Sequence, residues 1–95
     1  MSEDTYSVFK AIADPTRREI IGILLNNGAG MPINKVVDQF DMTRQAVTKH
    51  LKILKSSGLI EITKVGREKF CMANPFPIKE MFEWTKQYEK FWSFD

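Results

Sequence analysis

The 95-residue sequence predicts a mainly helical fold that carries one small β-hairpin. Apolar residues recur at three- and four-residue steps through most of the chain, which is the period of an amphipathic helix. One stretch, residues 59–73, is instead rich in β-branched residues with partial alternation, and it carries Gly66 at a turn. Because 95 residues leave no room for a second core, we expect a single domain over residues 1–95.

The composition excludes several classes of protein. With 43% hydrophobic and 27% charged residues, the chain is typical of a globular domain. No apolar run approaches the roughly 20 residues of a membrane-spanning helix, and the acidic start does not fit a secretory signal. We therefore expect a cytoplasmic protein with no membrane partner. A single cysteine, Cys71, and a single histidine, His50, exclude an internal disulfide and a Cys/His zinc site within one chain.

Two helices are predicted at the N-terminal end. The first contains Tyr6 and Phe9 on its apolar face and ends before Asp14. Asp14 is placed to cap a second helix that has Pro15 at its first position, where the missing N–H costs nothing. The second helix has one apolar stripe over residues 20–25, which we expect to face the core.

The next two helices form a helix-turn-helix. After a loop over residues 28–32, a short helix is predicted at 33–40 and a longer one at about 43–57. In the longer helix Val47, Leu51 and Leu54 form one stripe, and the opposite face is entirely polar or basic. Its Arg, Lys, Gln and Thr side chains are types that hydrogen-bond phosphates and base edges, and such a helix fits the major groove of DNA. A short helix, a tight turn and a longer basic helix are typical of a helix-turn-helix.

The hairpin completes a winged helix-turn-helix, with elements in the order α-α-α-α-β-β-α. Strands are predicted at residues 59–64 and 69–73, with Gly66 in the turn between them. Lys64 and Lys69 bracket the tip, which contains Arg67, so the hairpin would present positive charge at its end, where the wing can reach an adjacent groove or the DNA backbone. A hairpin tip that is merely solvated is the alternative, more so for Lys64 and Lys69 than for Arg67.

Charge is segregated along the chain. Residues 43–69 contain seven basic and two acidic side chains, a net charge of +5, whereas the remainder carries −3. Phosphate contacts need Lys and Arg concentrated on one surface, so this segregation favours a nucleic-acid interface. On charge alone, a solvated basic helix and hairpin would explain it equally well.

Three stretches of the sequence resemble the ArsR-type winged-helix repressors of bacteria and archaea. They are FKAIADPTRREII from Phe9, MTRQAVTKHLKIL from Met42, and GLI from Gly58. The ending, from Trp84 to Trp92, is similar to a branch of that family without an evident metal site. The resemblance implies a homodimer whose fourth helices enter successive major grooves of duplex DNA, with the wings on the flanks, and which represses its own or a neighbouring gene.

Ten residues form the predicted DNA-binding set: Thr43, Arg44, Gln45, Thr48, Lys49, His50, Lys52, Lys55, Lys64 and Arg67. The resemblance matches the first six to contacts of the recognition helix and Arg67 to the arginine of the wing tip. Arg44, Gln45 and Thr48 lie near the start of the helix, the end that enters the groove, so we expect them to discriminate bases. The lysines and Arg67 are expected to contact phosphate mainly.

The C-terminal segment predicts a dimer interface between terminal helices. From Ile78 onward the polar residues occupy one side of a helix, and apolar residues cover about half of it. A domain this small has little core to cover that arc, so we expect a homodimer. The alternative is that the first and second helices bury it alone. The predicted interface consists of Tyr6, Phe9, Met81, Phe82, Trp84, Tyr88, Phe91 and Trp92.

The expected function is a sequence-specific DNA-binding regulator, a homodimeric repressor of an inverted repeat. No catalytic activity is expected, because His50 is the only imidazole available to activate a nucleophile. No metal or cofactor is expected, since residues 34–42 contain no cysteine and Cys71 is alone in a predicted strand. The alternatives are a winged-helix module that docks on a partner protein and a metal-responsive repressor with an unrecognised site. The identity of a small-molecule effector does not follow from the sequence.

Overall fold

Five helices and three short strands make up the part of the chain that the structure describes, residues 3–28 and 30–92, with side chains described from residue 7 onward. The coordinates are a computed structural model. In chain order the elements are α1 (Glu3–Ile12), α2 (Pro15–Leu25), β1 (Met31–Pro32), α3 (Ile33–Asp38), α4 (Arg44–Ser56), β2 (Ile60–Val65), β3 (Glu68–Ala73) and α5 (Phe76–Lys86). A single 3-10 turn, Glu89–Phe91, follows α5. The predicted helical fold with its hairpin is confirmed.

Asp14 fixes the corner between α1 and α2. Its carboxylate accepts the backbone N–H of Thr16 at 2.8 Å and of Arg17 at 3.2 Å, and Pro15 occupies the first helical position as predicted. Burial acts to raise the pKa of the Asp14 carboxyl, but these two hydrogen bonds and the nearby His50 and Arg17 outweigh it. The pKa of Asp14 therefore lies below its ordinary value, and the cap is ionised at neutral pH.

The sheet contains a third strand that the sequence does not reveal. β1 pairs with β3 through Met31↔Cys71 and Pro32↔Phe70, so the strand order is β1-β3-β2, where the sequence predicts a loop and a two-stranded hairpin. Two residues are too few to show alternation, and their partners lie far along the chain. Gly30 permits the close approach, because a Cβ atom there would lie 2.8 Å from the carbonyl oxygen of Cys71.

The last helix is shorter than predicted. α5 ends at Lys86, so the sequence-based expectation of one continuous helical arc to Trp92 is wrong. The side-chain amide of Gln87 donates to the carbonyl of Trp84, the acceptor that the N–H of Tyr88 would use in a continued helix. The N–H of Tyr88 bonds instead to the carbonyl of Thr85 at 2.9 Å, which tightens the chain into the 3-10 turn.

The hydrophobic core lies between the helices and the inner face of the sheet. α2, α4 and the strands supply most of it, and α1 and α3 close its edges. The buried apolar residues are Val8, Ala11, Ile20, Ile21, Leu24, Met31, Val36, Val47, Leu51, Leu54, Leu59, Ile60 and Cys71. The predicted stripe of α4, formed by Val47, Leu51 and Leu54, is among them. Burial raises the pKa of the Cys71 thiol from 9.0 to about 11, so the thiol is uncharged at neutral pH.

We expect Cys71 to be inert in the folded protein. At pH 7 a rise of two pKa units lowers the thiolate fraction about a hundredfold, and burial blocks access as well. A chromogenic disulfide reagent should therefore react with the native protein at least about a hundredfold more slowly than with the chain unfolded in denaturant. Rapid stoichiometric labelling of the native protein would contradict the burial of this strand.

Candidate nucleic-acid interface

α4 has one buried face and one exposed face. The helix begins at Arg44 because the Thr43 hydroxyl accepts a backbone N–H of the first turn at 3.1 Å. On the inner side Val47, Leu51 and Leu54 are at most 1% exposed. Their packing fixes the rotation of α4 about its own axis, so the polar residues of the opposite side have a defined direction.

Five polar side chains of α4 lie together on its outer side. They line one shallow depression, which we call the recognition face: Arg44, Gln45, Thr48, Lys49 and Lys52. Thr48 is half-buried and the other four are exposed. Among the described side chains the only ion pair joins Lys79 to Glu83, so no carboxylate neutralises the cations of this face. Lys55 is also exposed but lies farther along, beside the start of β2.

The wing consists of β2, β3 and the two-residue turn between them. Gly66 adopts a positive φ of 62° in this turn, which is the left-handed conformation that favours glycine. The register places Lys64 directly opposite Lys69, and both side chains are exposed together with Arg67. The wing therefore ends in three uncovered cations, as the sequence predicts.

A cleft joins the wing to the start of α4. We call this space of about 260 Å³ the wing cleft, and it is lined by Pro32, Ile33, Asn34, Arg44, Arg67, Glu68 and Lys69. Arg44 belongs both to the recognition face and to the wing cleft. The structure thus brings five of the predicted residues of α4 next to the wing-tip Arg67, with Arg44 shared between the two surfaces, whereas Lys55 and His50 lie elsewhere. Asn34 and Lys69, which are outside the predicted DNA-binding set, also line the cleft, because the pairing of β1 with β3 brings α3 beside the wing.

His50 is turned away from the recognition face toward α2. Its Nδ1 atom lies 3.3 Å from the Nη1 atom of Arg17, which can only donate, so Nδ1 is the acceptor. Arg17 also donates to the carbonyls of Ala11 and Lys10 at the end of α1. Arg17 therefore ties α1 and α2 to α4. Sequence reasoning missed this role of Arg17, since its partner His50 lies 33 residues away.

Aromatic side chains at the end of the chain form an exposed surface. Phe9 meets Trp84 edge-on at 5.4 Å between ring centroids, and Trp84 meets Tyr88 at 5.5 Å. We call the following set the terminal aromatic surface: the half-buried Phe9 and Trp84 and the exposed Phe82, Tyr88, Phe91 and Trp92. Phe82 is 62% exposed and Phe91 73%. Of the other predicted interface residues, Met81 packs partly against the chain's own core, and the Tyr6 side chain falls outside the described residues.

Comparison with known proteins places the chain in a family. Residues 12–63 match the profile of a helix-turn-helix domain family. The transcriptional repressor SdpR of Bacillus subtilis is 31% identical over 82 residues, which cover 86% of this chain and 89% of that protein. An ArsR-like transcriptional regulator from Rhodococcus sp. RHA1 is 31% identical with a TM-score of 0.77, covering 94% of this chain and 82% of that one. The chain belongs to the ArsR-type family of winged helix-turn-helix regulators. The crystal structure of a further ArsR family transcriptional regulator, 29% identical, superposes with a TM-score of 0.84 over 98% of this chain and 94% of that one.

The described part of this ArsR-type chain contains neither a cluster of metal-binding side chains nor a membrane-spanning helix. Among the side chains that the structure describes, no three His, Cys, Asp or Glu residues lie together as a group that could hold a metal ion. Cys71 is buried in β3, and the Nδ1 atom of His50 is occupied by Arg17. None of the described helices has the length and apolar character needed to cross a membrane.

Proposed function

We propose that this ArsR-type protein is a sequence-specific transcriptional repressor that binds an inverted repeat in duplex DNA as a homodimer. The observation that carries the proposal is the recognition face, five polar side chains held outward by the buried face of the same helix. α4 has 13 residues and is about 20 Å long, so it can lie in a major groove about 12 Å wide. In this proposal the protein has no catalytic activity, acts in the cytoplasm and needs no cofactor or membrane.

Position along α4 divides the proposed contacts into two roles. Arg44, Gln45 and Thr48 lie in the first turns, the end of a recognition helix that meets base edges. Side chains farther along the helix and on the wing meet the backbone of the duplex, where they supply affinity without reading sequence. This second group comprises Lys49, Lys52, Lys55, Lys64 and Arg67. Thr43 holds the start of α4 as its cap, and His50 positions α4 through Arg17.

The terminal aromatic surface supports the homodimer. Phe82, Phe91 and Trp92 are more than half exposed, and large apolar side chains left in solvent favour association with a partner that covers them. The chain is also elongated, with extents of 50 × 25 × 24 Å and a radius of gyration of 14.9 Å, against about 12 Å for a compact domain of this length. A second copy would cover the patch, and the two-fold symmetry would set two half-sites about 10 base pairs apart.

Selection from random duplexes tests the repressor proposal. We expect a palindrome to be enriched. On that palindrome Gln45→Ala should weaken binding by about 1–3 kcal/mol and relax the preference at one position of each half-site, because a base-edge hydrogen bond is lost. On the same duplexes Lys52→Ala should weaken binding to all sequences alike, because a phosphate carries no sequence information. Both effects can be measured by fluorescence anisotropy.

One combined result of the selection and the binding measurements would contradict the repressor proposal. If no palindrome is enriched, and Arg44→Ala combined with Gln45→Ala leaves binding at moderate salt unchanged, the protein is not a sequence-specific repressor. The basic face would then be merely solvated, as expected for a module that docks on a partner protein.

A further inference from the structure

The wing cleft carries an inference that rests on the proposed function and deepens it. We infer that the wing cleft binds one phosphate of the DNA backbone, with Lys69 and Asn34 as contacts beside Arg44 and Arg67. This adds a second fixed point on the duplex, next to the recognition face.

Strand geometry places Lys69 on the inner side of the wing. Side chains two residues apart on a strand share a face, so Lys69 lies on the same face of β3 as Cys71. Cys71 is fully buried against the helices, and Lys69 is therefore on the helix-facing side of the wing, where it lines the cleft.

The cleft has an excess of positive charge, since its lining holds the three cations Arg44, Arg67 and Lys69 against one carboxylate. Lys64 lies directly across from Lys69 in the register, and like charges in that relation repel. Arg67 and Arg44 add two guanidinium groups. Glu68 is the only carboxylate of the lining, and it forms no ion pair there. An arrangement that costs stability in the free protein is favourable when an anion occupies the cleft.

The donors around the cleft suit a phosphate oxygen. A guanidinium presents a planar fork that matches phosphate, a lysine adds a mobile point charge, and the Asn34 side chain can donate an amide N–H. The cleft of about 260 Å³ has room for a phosphate and several water molecules, since one water molecule takes about 30 Å³. Because Arg44 borders both surfaces, a duplex seated on the recognition face passes the mouth of the cleft.

The first test compares Lys69→Ala with Lys79→Ala. Both remove one exposed lysine, but Lys79 is on α5 in an exposed pair with Glu83, which contributes little to stability. Lys69→Ala should weaken binding to the selected palindrome about 5- to 30-fold at physiological salt, since a dimer loses two charged contacts. The slope of log affinity against log salt should fall by about 1.8, or 0.9 for each lost contact. Lys69→Arg should restore most of the affinity, and Lys79→Ala should match the wild type.

The second test locates the phosphate. Single phosphates of the palindrome are replaced in turn by uncharged methylphosphonates. Replacement of one phosphate in each half-site should weaken binding by the wild-type protein. The same replacement should not weaken binding by Lys69→Ala any further. Glu68→Gln should have the opposite effect and tighten binding about two- to fivefold, because it removes a carboxylate that repels the negatively charged phosphate.

The outcomes separate this inference from the proposed function. If the palindrome is bound and Gln45→Ala relaxes specificity, but Lys69→Ala behaves as Lys79→Ala does, the cleft inference alone is overturned. Inorganic phosphate is the other source of the same chemistry. Saturable binding of inorganic phosphate at Lys69 and Arg67 in NMR spectra of the free protein, with no methylphosphonate position coupled to Lys69, would assign the cleft to a free anion and overturn the DNA assignment.

Discussion

Replacing Phe82 and Phe91 together with glutamate is expected to separate the dimer into monomers and to weaken binding to the inverted repeat about 10²- to 10⁴-fold. Both side chains are largely exposed in the single chain, so the fold does not depend on them. At an interface, however, the glutamates would be desolvated without a partner charge. Loss of the dimer removes the effective concentration by which the first half-site assists the second.

Light scattering and anisotropy measure the two parts of this expectation. The wild type should have twice the mass of the 11.0 kDa chain, and the double variant should have the mass of one chain. Leu25→Glu is a suitable control because Leu25 is also exposed and apolar but lies at the end of α2. A double variant that keeps the dimer mass would show that the terminal aromatic surface is not the interface, and a monomeric wild type would remove the homodimer from the proposal.

Leu51→Ala is expected to lower the free energy of unfolding by about 2–5 kcal/mol. Leu51 is 1% exposed in the centre of the core, so truncation loses burial and leaves a cavity. The total free energy of unfolding of a domain of this length is about 5–14 kcal/mol. The melting temperature should therefore fall by roughly 10–30 °C, as followed by circular dichroism.

Lys52→Ala is the matched control for Leu51→Ala on the same helix. Lys52 is exposed on the recognition face, so its removal should change the free energy of unfolding by no more than about 0.5 kcal/mol while weakening DNA binding. Neighbouring positions would then separate stability from binding. A loss below about 1 kcal/mol for Leu51→Ala would mean that the inner face of α4 is not packed as described.

The sequence predicts α4 and its two faces well because both depend on local information. The 3.6-residue period alone places Val47, Leu51 and Leu54 on one side and the polar residues on the other. The cap at Asp14 is equally local, since its acceptor and the donors are at most three residues apart. Such features survive folding because tertiary contacts reinforce them.

The features that the sequence does not reveal depend on contacts between distant segments. β1 exists because Met31 and Pro32 meet β3, and no pattern within two residues predicts such a partner. The proposed role of Lys69 depends on tertiary structure too, since the burial of Cys71 against the helices shows which side of the wing Lys69 occupies. The family motif places His50 in the predicted DNA-binding set, whereas its contact with Arg17 appears only when α2 packs on α4. The early end of α5 depends on one side-chain hydrogen bond that competes with the helix.

The third strand has a mechanical consequence for operator recognition. β1 ends at Pro32 and α3 begins at Ile33, so no flexible linker separates the sheet that carries the wing from the helix that precedes the turn. The backbone hydrogen bonds between β1 and β3 therefore hold the wing at a fixed distance from the helix-turn-helix. In an operator where the two contacts are spaced differently, the duplex must bend or twist to fit, and the energetic cost depends on its sequence. Base pairs that the protein never touches would then contribute to its choice of site.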